Sequence, residues 1–121
     1  MTRCEEFAAL LAAASGGVRA AYEEVLDEWR PEEPPVTTLF AALGDQIADD
    51  FYSTGAIGNR QMFSLIEAAM ESGHQGLVTA VATGLIEALV TRALRIESLW
   101  GQMAPLLGPR SLHHAEAWLA E

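Results

Sequence analysis

The chain reads as all-α, a single compact bundle of about six to seven helices around a central apolar helix at about residues 77–96. Three observations predict this. Apolar residues recur three and four apart through most of the length. Glycine and proline cluster between the periodic stretches. One stretch, Leu77 to Ile96, is apolar nearly all round, the pattern of a helix wrapped by others. With 121 residues, half of them hydrophobic, the chain suffices for one core and one domain, 1–121.

Cys4, Phe7, Leu10, Leu11 and Ala14 define a short first helix, and Ser15-Gly16-Gly17 is expected to end it with left-handed residues. Val18, Ala21, Tyr22, Val25, Leu26 and Trp29 form the stripe of a second, with Arg19, Glu23, Glu24, Asp27 and Glu28 opposite. Pro31-Glu32-Glu33-Pro34-Pro35 must break it, because proline lacks a donor and pushes its predecessor out of the helical region. Thr37 or Thr38 is expected to cap a third helix, with Leu39, Phe40, Leu43, Ile47 and Phe51 inward and Asp45, Asp49 and Asp50 outward. Gly55 and Gly58 bracket a turn. Asn59 then caps a fourth helix carrying Met62, Phe63, Leu65, Ile66, Ala69 and Met70. Ser72 to Gly76 leads into the central helix. Ser98–Leu107 and Ser111–Glu121 make two short final helices split by Gly108-Pro109, docked by Trp100 and Trp118.

Leu-Ile-Glu-Ala occurs twice, at Leu65–Ala68 and at Leu85–Ala88, so two apolar helices carry one carboxylate each at the same place. A glutamate in such a setting needs a partner, a proton or a route to water. On its helix Glu67 falls beside Arg60, Ser64 and Glu71, which predicts a boundary residue. Glu87 falls on a polar seam with Thr79, Thr83 and Thr91 along the central helix, which predicts the deeper of the two, with Arg92, Arg95 or another helix as its partner. On the same helix Gly76, Ala80, Gly84 and Ala88 lie four apart and invite close packing.

Charge is concentrated. From Glu23 to Asp50 stand nine acids (Glu23, Glu24, Asp27, Glu28, Glu32, Glu33, Asp45, Asp49, Asp50) against one base, Arg30, a net −8 of the chain's −10. Such a field repels nucleic acid and anionic membranes and attracts a basic protein. No apolar run is read as a membrane span, the acids Glu5 and Glu6 do not suit a secretory leader, and the single Cys4 fits a reducing compartment, so a cytoplasmic address is expected.

Catalytic patterns are not in evidence. Glu71-Ser-Gly-His74 crosses a glycine at a helix end, which spoils a carboxylate-bridged bundle site. His113-His114 with Glu116 would need ligands from other helices, because adjacent helical residues diverge by about 100°. No Ser-His-Asp, P-loop or dinucleotide fingerprint has its required context. The expectation is therefore a protein without cofactor or metal and not an enzyme.

Gly44-Asp45-Gln46-Ile47-Ala48-Asp49, a glycine turn, then Phe63 to Glu67 and Val81 to Glu87, together resemble a family of small bacterial all-helical proteins similar to immunity partners of polymorphic toxins. The resemblance runs from about Leu39 to the C-terminal helix and implies a helical fold and an inhibitory or binding role, with no catalytic residues to carry over. The leading expectation is an acidic module that occludes the active site of a basic toxin domain through the Glu23–Asp50 acids, with Trp29 as an anchor. Alternatives are a small-molecule or catalytic site at Glu67 and Glu87, and a homo-oligomeric scaffold.

Overall fold

The computed structural model describes Thr2–Glu121, which are all-α, with no strand among them. The elements are α1 (Arg3–Ala14), α2 (Gly16–Trp29), α3 (Val36–Met70), α4 (Gln75–Ala80), a π-helical segment (Val81–Ile86), α5 (Glu87–Leu94), α6 (Leu99–Met103), a 3-10 turn (Ala104–Leu106) and α7 (Pro109–Leu119). From α4 to α5 the helix is continuous over Gln75–Leu94 and forms the centre of the bundle.

Each break has a local cause, not always the expected one. Between α1 and α2 no left-handed residue is used. Ser15 alone is extended (φ −150°, ψ 129°), and its Oγ accepts from the Val18 amide at 3.3 Å, so Gly16 and Gly17 begin α2 instead of ending α1. A side chain at Gly17 would displace the Asp50 carboxylate. Pro35 occupies the cap position of α3, and Thr37 and Thr38 lie inside the helix rather than capping it.

The expected third and fourth helices are both present as the two halves of α3 and meet at a kink at Gly55 (φ 85°, ψ 169°), a conformation essentially reserved for glycine. Gly58 is not part of that turn, and Asn59 does not cap. Its buried amide nitrogen donates to the Phe51 carbonyl at 2.9 Å, tying the second half of α3 to the end of the first.

The core runs through Phe40, Leu43, Ile66, Leu85, Ile86 and Leu89, joined by Leu99 and Met103. Burying each such side chain contributes about 1.5–3 kcal/mol. α3 crosses the central helix with almost no side chain between them. A Cβ at Gly44 would strike the Leu85 carbonyl, and one at Gly84 would lie 2.9 Å from Phe40 Cβ. Gly44 is thus the contact that sets this crossing. Of the small residues four apart, Gly84 makes the close approach, whereas Gly76 is exposed with nothing near it.

Helix Gln75–Leu94 is, by length and a mean hydropathy of 1.6, apolar enough to cross a membrane, contrary to the sequence reading. In its most apolar 18-residue window 56% is buried against its own protein. It is not wrapped all round, because Thr79, Thr83 and Thr91 of its polar seam are exposed. Thr83 Oγ1 donates to the Thr79 carbonyl at 2.8 Å, the back-bond expected of a helical threonine.

Candidate functional site

Both repeated glutamates hold the same element, α7, and their depths are the reverse of the expectation. Glu67 is buried, 8% exposed. Its carboxylate accepts from the amides of Arg110 (2.9 Å) and Ser111 (3.0 Å) and from the Ser111 hydroxyl (2.7 Å). Those amides are at the N-terminus of α7, whose cap position is Gly108 and whose first residue is Pro109. A glycine cap has no acceptor of its own, so Glu67 supplies one from α3. The two are sterically exclusive, since a Cβ at Gly108 would fall on the Glu67 side chain. Burial pushes the Glu67 carboxyl up, but the two amides, the Ser111 hydroxyl and the Arg110 charge together outweigh it and hold its pKa below the ordinary 4.5.

Glu87 meets α7 one turn further on. His114 Nε2 lies 2.9 Å from its Oε2, with the two side chains 29% and 22% exposed. Its partner therefore comes from another helix and is neither Arg92 nor Arg95. Arg92 instead makes a two-bond pair with Asp49, at 2.9 and 3.0 Å. Among the described residues no buried side-chain nitrogen or oxygen lacks a partner, so Glu67 is fully engaged as a cap. No group of three His, Cys, Asp or Glu side chains among them could hold a metal.

The nine acids do not share one environment. Asp49 is tied to Arg92, and Asp50 accepts from Gln46 at 2.9 Å. Asp45 is half-buried, and desolvation raises its pKa against the opposing fields of Arg92 and Arg95, with Asp49 adding to the rise. These three do not stand free on the outer face of α3 as expected. The other six, Glu23, Glu24, Asp27, Glu28, Glu32 and Glu33, are exposed on α2 and the connector. Two of them make exposed local pairs, Glu23 with Arg19 and Asp27 with Arg30, each worth little. Glu24, Glu28, Glu32 and Glu33 have no ion pair among the described residues. Beside them Trp29 is 37% and Val36 42% exposed.

One feature has no motif. Between α1, α2 and the connector lies a cleft of about 280 Å³, walled by Cys4, Tyr22, Leu26, Pro34 and Leu39, with Glu5 and Glu33 on its lining. The signal in the sequence is the tight spacing of Pro31, Pro34 and Pro35, which prevents the connector from coiling down onto the half-buried apolar residues of α2. Trp118, expected to dock the last helix, remains 37% exposed at the edge of a polar groove with Asp45, Thr83, Thr91 and Arg95.

Compared with known proteins, the chain matches no family model, no curated protein sequence and no solved structure.

Proposed function

We propose that the protein is an acidic binding module for a basic protein partner, engaged through α2 and the proline connector. The observation that carries this reading is the group of exposed, unpaired acids Glu24, Glu28, Glu32 and Glu33 next to the exposed apolar Trp29 and Val36. Unpaired surface acids are available to pair with a partner's cations, speed the encounter with a cation-rich surface, and suit the rim of an interface, where they stay partly hydrated. An exposed tryptophan beside them is the residue type most often found as an energetic anchor. Because Asp45, Asp49 and Asp50 are turned to neighbours within the fold, the binding surface narrows to Glu23–Glu33. The resemblance to immunity partners makes a toxin domain the specific case, inhibited by steric and electrostatic occlusion.

The test uses a basic protein recovered on the immobilised chain, purified and identified, with affinity measured at low and high salt. Replacing Glu24, Glu28, Glu32 and Glu33 together by Gln is expected to weaken binding roughly tenfold or more and to flatten its salt dependence. Asp49→Asn is the control and should leave affinity nearly unchanged. Equal affinity for the four-fold variant and the parent would sink the reading.

A second reading rests on one observation, the Glu87–His114 contact beside the polar groove. A carboxylate that orients an imidazole is a unit used in acid-base chemistry. Glu67 has no part in it, since its acceptors are spent on α7.

A further inference from the structure

We infer that the cleft between α1, α2 and the connector receives one large apolar side chain of a partner protein, with an arginine or lysine next to it in the partner's sequence. The inference deepens the acidic-module reading and rests on it.

Size comes first. At about 280 Å³ the cleft falls just below the range of about 300–1,000 Å³ typical of small-molecule sites, so it suits a single protruding side chain better than a whole metabolite. Its walls are apolar: Tyr22 and Leu26 from α2, Leu39 and Phe40 from α3, and Pro34 from the connector. Leu26 and Leu39 are only half-buried and would gain from being covered.

Charge then gives the occupant a direction. The charged residues on the cleft are Glu5 and Glu33, both exposed acids. The neighbouring furrow, which shares Thr2, Cys4 and Val36 with the cleft, brings Arg3 and His74 instead. A bound segment therefore places its cation at the Glu5 and Glu33 end and its neutral or acidic continuation along the furrow. The proline connector supplies a rigid wall, so the cleft is formed before binding and little ordering is required of it.

The sole cysteine, Cys4, lines both cleft and furrow and serves as a probe. Burial, then the Glu5 charge, push its thiol up, so capping with N-ethylmaleimide is run at alkaline pH. A displayed library of random peptides is selected on the intact protein, and the enriched peptides are rebound to the capped protein and to Glu33→Arg. That substitution is at an exposed position and is expected to leave the fold intact, which circular dichroism checks. The inference expects enriched sequences with a large apolar residue adjacent to Arg or Lys, roughly tenfold weaker binding to both altered proteins, and slower capping of Cys4 when peptide is bound. No enrichment, or basic peptides that bind the capped protein and Glu33→Arg unchanged, would overturn the cleft while leaving the acidic module standing. Peptides that protect Cys4 but carry Asp or Glu in place of the cation would overturn both.

Discussion

Glu67 and Glu87 occupy the same place in the same tetrapeptide, and both reach the last helix, but by different means. Glu67 approaches the start of α7 end-on, where unpaired amides and the positive end of the helix dipole converge, and it collects three donors in a buried site. Glu87 approaches the flank of α7, where backbone groups are already paired along the helix, so only a side chain, His114, is there to meet it. The contrast teaches that the local sequence of an acid says little about its role. What faces it decides.

The largest effect should come from removing the buried cap. Glu67→Ala leaves two amides and a hydroxyl at the start of α7 without an acceptor and is expected to cost about 3 kcal/mol in urea denaturation. Gly108→Ser in the parent protein should also destabilise, because the added side chain collides with Glu67. Combined with Glu67→Ala, the same serine should stabilise by about 1 kcal/mol, since it then supplies the missing acceptor from within α7. Additive losses in the double variant would show that the cap is not borrowed from α3.

A smaller effect is expected from acid. The pKa of Glu67 is lowered in the folded protein, so its contribution is fully present above the ordinary 4.5 and is lost as pH falls through the lowered folded value. Protonated Glu67 retains one acceptor, so this loss is less than that of Glu67→Ala. Parent and Glu67→Gln, compared by denaturation across that window, should converge towards its acidic end; a constant gap would contradict the linkage.

Glu87→Gln should change least, by about 0.5 kcal/mol, because the pair it alters is partly solvated and a glutamine can keep a bond to His114. A loss above about 2 kcal/mol would place Glu87 on the same footing as Glu67. A near-silent effect on stability, joined to loss of a ligand or activity, would favour the second functional reading.

Much of the helical layout could be read from the chain. The stripe from Val18 to Val25, the proline break after α2 and the buried run Leu85, Ile86, Leu89 and Val90 follow from spacing alone. Helix starts were harder to place. Thr37, Thr38 and Asn59 have the right chemistry for capping, yet Pro35 begins α3 and Asn59 is drawn into the Gly55 kink. Gly108-Pro109 did carry a partial signal for the Glu67 site, since a helix opening with no capping side chain leaves its first amides to water or to an acceptor from elsewhere in the fold. The acceptor, Glu67, lies more than forty residues earlier, a distance no local pattern spans.

The sequence by itself determined that this chain is a helical bundle, roughly where its helices are interrupted, and that its acids concentrate between Glu23 and Asp50. These follow from backbone chemistry, short-range periodicity and composition. Only the tertiary structure decided which repeated glutamate is buried, which acids remain free, and that a cleft opens beside the proline connector. Each depends on which helix lands on which face, and docking is settled by packing and polar pairing between distant segments, as at Gly44 against Leu85 and Glu67 against Ser111.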